Sequence, residues 1–218
     1  MVFLLKILQA LRDTFPKLQR VSSYAAPKDI LRKSEDELRQ LKEAGLQLLY
    51  YGMETGDDAT LKAVNKGVNG EEAVEAGRRV TASGMKLSIM VILGLAGKEG
   101  SYRHAIETAK AINIIQPTMW SALCLMLYRG SELLDQFERG EFNPLSPAEC
   151  MEELYTIMEN VNLPADKHCL FRSNHISNYI PLAGTLPKDK QKLLAEIKYS
   201  AQELSKLKKW DVYNNTEY

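Results

Sequence analysis

The feature that most constrains this chain is the run Lys86-Leu87-Ser88-Ile89-Met90-Val91-Ile92-Leu93, apolar almost throughout and closed by Gly94-Leu95-Ala96-Gly97-Lys98-Glu99-Gly100. A strand with so little polar alternation is expected where helices cover both faces of a parallel sheet. A second run, Leu46 to Tyr51, also stops at a glycine and then displays a lone acid, in Tyr50-Tyr51-Gly52-Met53-Glu54-Thr55-Gly56-Asp57-Asp58. Two successive strands with glycine-rich C-terminal ends are what a parallel α/β sheet uses to hold a ligand. Function is therefore expected on one rim.

Helix and strand signals alternate around these two runs. Leu4, Leu5, Leu8, Leu11 and Phe15 repeat at helical spacing and predict a helix over 3–15 that ends near Pro16, and 20–24 reads as a short strand. Ser34-Glu35-Asp36-Glu37 is a capping box for a helix that carries Leu38 and Leu41 inward and stops at Gly45. Asp57 or Asp58 caps a short helix over 60–65, and Asn69 caps another from Glu71 to Ala82, with Gly84 as its stop signal. Ser101 reads as the cap of a helix to Ile115, and 118–127 is a further apolar run of strand length. Strands near 21–24, 46–51, 87–93 and 118–127, separated by helices, make a βαβ series with right-handed crossovers.

After Arg129 the pattern changes. Ser131 to Arg139 reads as a short helix ended by Gly140, and Ser146-Pro147-Ala148-Glu149 is a second capping box, with proline at the first helical position, for a helix to Val161. Phe171 to Gly184 reads as irregular and polar. Pro187 starts a last amphipathic helix with Leu193, Leu194, Ile197, Leu204 and Leu207 on one face, and the tail from Tyr213 has no packing pattern. The expected division is a barrel-like unit over 1–129 and a C-terminal helical extension over 130–218 with a polar loop at 171–184.

Composition excludes several classes of function. The 28 basic and 28 acidic residues cancel, so no global field draws nucleic acid or an anionic membrane. Lys206, Lys208 and Lys209 read as a solvated helix end favoured by the macrodipole. The apolar N-terminus is interrupted by Lys6, Arg12 and Asp13 and lacks a small-residue cleavage site, so it reads as neither signal peptide nor membrane helix. Three widely spaced cysteines, Cys124, Cys150 and Cys169, argue against a disulfide framework and for a reducing compartment, and a cytoplasmic location is expected. No pair has CxxC spacing, so no complete metal or cluster site is written in the chain. Cys124, in an apolar strand, reads as a small buried hydrophobe.

Three features could carry chemistry. Glu54, between Gly52 and Gly56, is placed to accept hydrogen bonds from an amine or a ribose hydroxyl; the competing reading is a local pair with Lys62 or Lys66. The loop Gly94–Gly100 does not meet the phosphate-binding spacing GxxxxGK[ST]. It could let backbone approach a flat aromatic ligand, with Ile92 and Leu95 in apolar contact, or be a tight turn that needs glycine for its backbone angles alone. Phe171-Arg172-Ser173-Asn174-His175-Ile176-Ser177-Asn178-Tyr179 is rich in hydrogen-bonding side chains and anchored by Ile180, Pro181 and Leu182. Such a segment either lines a pocket, with Arg172, Asn174, His175, Asn178 and Tyr179 as substrate contacts, or satisfies itself while closing the sheet.

Together these pieces resemble the radical S-adenosylmethionine superfamily, in its branch containing coproporphyrinogen dehydrogenase and the elongator catalytic subunit. Gly52-Met53-Glu54-Thr55-Gly56-Asp57-Asp58-Ala59-Thr60-Leu61 looks like that branch's fourth-strand motif, G-x-E-S-x-x-D-x-x-L, and Asn65-Lys66-Gly67 like the basic-Gly step after it. Ile92-Leu93-Gly94-Leu95-Ala96-Gly97-Lys98-Glu99 looks like the fifth-strand motif G-L-P-G-E with one extra residue. Arg129-Gly130-Ser131-Glu132-Leu133 stands in place of the P-G-T-x-L step after the sixth strand. The polar segment, with Gly184-Thr185-Leu186-Pro187-Lys188-Asp189-Lys190, resembles the C-terminal signature of one uncharacterised bacterial and archaeal subgroup.

The resemblance implies a partial (β/α) barrel of parallel strands, incomplete at its N-terminal side. It implies that Glu54, beside Gly52, helps hold the methionine or ribose part of S-adenosylmethionine. The loop from Ile92 through Gly94 and Leu95 to Gly97 would sit beside the adenine, and the sixth strand, ending near Met126, would complete the apolar wall. The family's CxxxCxxC loop, which binds a [4Fe–4S] cluster, has no counterpart in this sequence, nor have the first two strands. The expected reading is a C-terminal fragment of such an enzyme, with the cluster in the full-length protein. The alternatives are a non-enzymatic remnant that binds a nucleotide-like ligand or a protein partner, and an aldolase-like barrel fragment. The strand near Arg20–Tyr24 is then an open edge, and a homodimer through it is expected.

Overall fold

The computed structural model describes residues 1–206, so Leu207, Lys208, Lys209 and the tail from Tyr213 lie outside the described residues. The elements run α1 (Val2–Thr14), β1 (Val21–Ala25), α2 (Pro27–Leu31), α3 (Glu35–Glu43), β2 (Leu46–Glu54), α4 (Asp58–Ala63), α5 (Gly70–Ala82) and β3 (Lys86–Leu93). They continue α6 (Gly97–Ile115), β4 (Met119–Cys124), α7 (Glu132–Glu138), α8 (Pro147–Asn160), β5 (Cys169–Ser173), β6 (Leu182–Leu186) and α9 (Lys190–Ser205). The strands form one sheet in chain order, parallel from β1 to β5 and antiparallel at β6. An unbroken sequential order of parallel strands is the order of a barrel wall. Among the described residues β1 and β6 each keep an unpaired edge, so the wall is incomplete, and β1 is the expected open edge.

Local chemistry sets most helix ends. Ser34, Asn69 and Ser146 each accept from the backbone N–H three residues on, while Glu37, Glu72 and Glu149 reach back to the capping backbone. Asp57 caps α4 and Ser131 caps α7 in the same way, without the return bond. α6 differs from expectation. It begins at Gly97, so Ser101 lies inside it. No side chain caps it; the Asn143 carbonyl accepts from Lys98 N–H at 2.8 Å and takes that role from outside the helix. α2, a short helix opened by Pro27, is an element the sequence pattern did not announce.

The strands differ from expectation in three places. β2 runs on through Gly52 to Glu54, because Met53 is buried and continues the alternation. A register shift between Gly52 and Glu54 marks a bulge there. β4 stops at Cys124 rather than Leu127. The segment expected to be irregular supplies β5 and β6, whose inward residues Cys169, Phe171, Ser173, Leu182 and Leu186 are all buried.

Helices cover one face of this sheet. Leu49, Tyr51, Met53, Ile89, Val91, Trp120, Ala122 and Phe171 point into that side and are buried, with the Trp120 and Phe171 rings 4.5 Å apart. α5 packs on β2 and β3, α8 on β3 and α9 on β6, and Tyr51 Oη donates to the α5 carbonyl of Ala73 at 2.9 Å. The opposite face carries Tyr50, Gly52, Glu54, Met90, Ile92, Ser121, Leu123 and Arg172, all partly exposed. The apolar run of β3 is thus not covered by helices on both sides, as its composition had suggested; Met90 and Ile92 line an open face.

Candidate functional site

The C-terminal ends of β2 and β3 meet on this open face. Glu54, the last residue of β2, has φ 65° and sits at the centre of a three-residue turn closed by Thr55 N–H to Met53 O at 2.8 Å. A γ-turn with positive φ is the rare, strained kind, and a non-glycine residue held there costs about 1–3 kcal/mol. The turn folds the carboxylate back over Gly52, where any Cβ would collide with Glu54 Oε1. Lys66, from the loop after α4, donates to the same oxygen at 2.8 Å, and the two side chains remain 22% and 21% exposed. Of the two local partners expected for Glu54, the structure selects Lys66.

Beyond Glu54 the chain is fixed by polar contacts. Thr55 Oγ1 accepts from Asp57 N–H at 2.9 Å, and Gly56 N–H donates to Thr108 Oγ1 on α6 at 3.0 Å. A Cβ on Gly56 would strike the Glu107 carbonyl, so only glycine lets this loop lie against α6. Burial works against the Asp57 carboxylate, but hydrogen bonds from Arg103 and from the Thr60 side chain and backbone outweigh it and hold its carboxyl below the usual range.

The loop after β3 is held by a buried acid. Gly94, at φ 81°, donates its N–H to Glu153 Oε1 at 2.7 Å, and Ser101 Oγ donates to Glu153 Oε2. Glu153 lies on α8 with its side chain fully enclosed, and burial, opposed by those two hydrogen bonds, pushes its carboxyl up to about 7. His104, on α6 and equally enclosed, places Nε2 at 3.5 Å from Glu153 Oε1, while its Nδ1 meets Thr55 Oγ1 at 2.8 Å. Burial, only partly offset by Asp57, brings the imidazole down to about 4, so the ring is neutral at physiological pH. Neither residue was singled out from the sequence, where a lone His on one helix and a lone Glu on another carry no common signal.

The remaining candidates fall in three groups. Ile92 lies on the open face, level with Leu123 of β4. Gly94, Leu95 and Gly97 are buried in the turn into α6, where a Cβ on Gly97 would press on the Phe142 ring and the Asn143 carbonyl. Met126 follows β4, half-buried, and its sulfur accepts from Tyr128 Oη at 3.3 Å. In the polar segment, Arg172 alone is placed on the open face of a strand. Gly52, Met90, Ser121 and Arg172 are successive register partners across the sheet, which puts Arg172 about 14 Å from Gly52 at the usual strand spacing.

The rest of that segment largely satisfies itself. His175 Nδ1 meets Ser177 Oγ at 2.9 Å, and His175 N–H donates to Asn178 Oδ1 at 3.1 Å. Asn178 Nδ2 donates to the Ala122 carbonyl at 3.0 Å and to Ser173 Oγ at 2.8 Å, stitching the loop to β4 and β5. Asn174 is exposed and Tyr179 half-buried. Beneath this loop the Cys124 and Cys150 thiols are both buried, and their mutual interaction holds Cys124 below the usual thiol range and Cys150 above it, with burial adding to the latter.

No protein-family model matches the chain. Among curated proteins it is 24% identical over 136 residues to an uncharacterized protein of Methanocaldococcus jannaschii, covering 62% of this chain and 42% of that protein. It is 25% identical over 120 residues to a tRNA uridine(34) acetyltransferase of Methanocaldococcus infernus, covering 55% of this chain and 22% of the relative. The chain therefore spans less than half the length of either. Among solved structures it resembles M. infernus Elp3 with an N-terminal deletion, at TM-score 0.59 and 20% identity over 85% of this chain and 42% of that one. HydG, a maturase of the [FeFe]-hydrogenase, gives TM-score 0.50 at 17% identity over 73% and 35%. TsrM of Kitasatospora setae, a radical S-adenosylmethionine methyltransferase, gives 0.50 at 15% identity over 93% and 50%.

Proposed function

We propose that this chain, whose fold is that of the radical S-adenosylmethionine superfamily, supplies part of the S-adenosylmethionine-binding rim of such an enzyme. The observation that carries this reading is Glu54, held at φ 65° at the end of β2 with its carboxylate folded over Gly52 on the open face. The carboxylate would accept hydrogen bonds from the amine or ribose hydroxyls of the ligand. Gly52 leaves the space beneath it, and Ile92 offers an apolar surface one strand away. Gly94, Leu95 and Gly97 shape the turn that would border the adenine, and Met126 would close the apolar wall. Arg172, in the row below the rim, would meet a substrate, with Asn174, His175, Asn178 and Tyr179 framing its loop.

S-adenosylmethionine, when bound to a reduced [4Fe–4S] cluster, supplies the radical chemistry of this superfamily. The residues present do not fit that cluster. Cys124, Cys150 and Cys169 are buried on β4, α8 and β5, and no group of three or more His, Cys, Asp or Glu among the described residues could hold a metal. In this reading the cluster ligands come from polypeptide outside the sequence, and the chain is a fragment of the catalytic barrel that binds but does not react alone. Three unpaired cysteines support a reducing, cytoplasmic setting. No helix among the described residues is long and apolar enough to cross a membrane.

The test is calorimetric titration of the 218-residue chain with S-adenosylhomocysteine. Glu54→Gln should weaken binding about tenfold or more, the usual worth of a hydrogen bond to a charged group. Unchanged affinity would remove Glu54 from the site. A second reading rests on Lys66, which already neutralises Glu54: the pair is then purely structural, and the chain is a non-enzymatic remnant that binds a nucleotide-like ligand or a protein partner elsewhere. Lys66→Met separates the two, because freeing the carboxylate should alter S-adenosylhomocysteine affinity in the first reading and leave it unchanged in the second.

A further inference from the structure

The two rim loops are far apart in sequence yet share one buried polar connection. On one side Glu153 Oε1 accepts from Gly94 N–H at 2.7 Å; on the other it faces His104 Nε2 at 3.5 Å, and His104 Nδ1 meets Thr55 Oγ1 at 2.8 Å. Thr55 in turn accepts from Asp57 N–H at 2.9 Å. His104 Nε2 has no hydrogen-bond partner at ordinary length. A carboxylate enclosed in a core is expensive unless every lone pair is used, so its retention here asks for a role.

We propose that Glu153 is a positioning residue that, through Gly94 on one side and His104–Thr55 on the other, locks the loops after β2 and β3 into a single unit. This rests on the rim being the ligand site. Glu153 touches no part of the rim's open face; it acts through Gly94, whose N–H it fixes, and through His104, which fixes the residue after Glu54. Loss of the side-chain oxygen that accepts from Gly94 and faces His104 therefore loosens both loops together, although they are joined by no direct hydrogen bond.

The groups around it make this connection responsive to pH. Lys98 on α6 is engaged by Glu149 at 2.8 Å, and Tyr102 lies in the same shallow cleft. Glu149 and Glu152 flank Glu153 on α8, and the Cys124–Cys150 pair lies beyond. Asp57 reaches His104 from the other loop and is itself held by Arg103. None of the cations faces Glu153 directly, so near neutral pH it is the group that changes state.

The experiment is amide hydrogen exchange and amide chemical shift, resolved by residue, on the 218-residue chain and its Glu153→Ala and Glu153→Gln variants, with circular dichroism to verify folding. Glu153→Ala should speed exchange by about tenfold or more at Gly94 and equally at Gly56 and Asp57, leaving Ile89 and Val91 in β3 protected. Glu153→Gln, which keeps a carbonyl for Gly94, should restore protection at both loops. Loosening of Gly94 alone would overturn the coupling. If the alanine variant does not fold, the wild-type titration decides: Gly94 and Asp57 amides should shift with one common midpoint near 7, absent in Glu153→Gln. Separate midpoints, or no titration, would overturn the proposal. S-adenosylhomocysteine titration keeps the two ideas apart, since coupled loops in a chain that binds no ligand leave the positioning role standing and refute the ligand reading.

Discussion

Replacing Glu153 by glutamine should uncover a compensation built into the His104–Glu153 pair. Burial lowers His104 from 6.5 to about 4, so its ring stays neutral in the folded chain while the unfolded chain takes up a proton below 6.5. Its contribution is complete above pH 6.5 and is lost as pH falls toward 4. Burial raises Glu153 from 4.5 to about 7, so the folded chain keeps a proton that the unfolded chain has released. That contribution is complete below pH 4.5 and is lost as pH rises to about 7. Each displacement is worth about 3 kcal/mol. Between pH 4.5 and 6.5 the two slopes have opposite signs, and in the wild type they cancel. The glutamine variant has only the histidine slope, so acidification across that window should destabilise it by about 3 kcal/mol more than the wild type. Urea denaturation of both proteins at several pH values between 4.5 and 7.5 measures this directly, and the difference between them removes every other titrating group. A difference that stays flat over that range would refute the reasoning, because Glu153 would then have the same proton affinity folded and unfolded.

Three further outcomes follow from the geometry. Glu54→Gly should raise stability by about 1 kcal/mol, since glycine adopts φ 65° freely, while S-adenosylhomocysteine binding falls; thermal unfolding and calorimetry check the two halves. Gly56→Ala should cost about 2 kcal/mol, seen as a lower urea midpoint, because the backbone of α6 at Glu107 cannot yield to a new methyl. The chain should self-associate through the β1 edge, where Tyr24 is 77% exposed, and Tyr24→Lys should shift it toward monomer in sedimentation. A wild-type monomer at every concentration would count against that interface.

What the sequence made legible was what short-range chemistry decides. Ser34 with Glu37, Asn69 with Glu72 and Ser146 with Glu149 are reciprocal contacts three residues apart, and the helices begin where those pairs stand. The apolar runs of β2 and β3 are equally local. What escaped was decided at a distance. α6 starts at Gly97 because a carbonyl from Asn143 reaches it, and no nearby residue announces that. β5 and β6 are short and half polar, and only their neighbours in the sheet make strands of them. In the site, Glu54 and Lys66 were within sight of each other, but Gly52 looked like a strand end when it is the floor for the carboxylate. His104 and Glu153 come from separate helices, and nothing before folding relates them.

Two departures from ordinary folding rules lie at the two loops of one rim, alongside the positive φ of Asn65 and Gln116 and the unpartnered Trp120 Nε1 elsewhere in the fold. Glu54 holds a strained φ where glycine would relax it, although glycines occupy positions 52 and 56 on either side. Glu153 keeps an ionisable carboxyl group in the core beside a histidine nitrogen with no partner, although an apolar side chain would fill that space without a buried polar group. Each departure lowers stability by an amount that is large against a marginal total. Conflicts of this kind are expected where a site sets the residue and the fold bears the cost. In the reading proposed above, a ligand at the C-terminal ends of β2 and β3 would give both departures one explanation: Glu54 would touch it, and Glu153 would hold the opposite loop in register with Glu54.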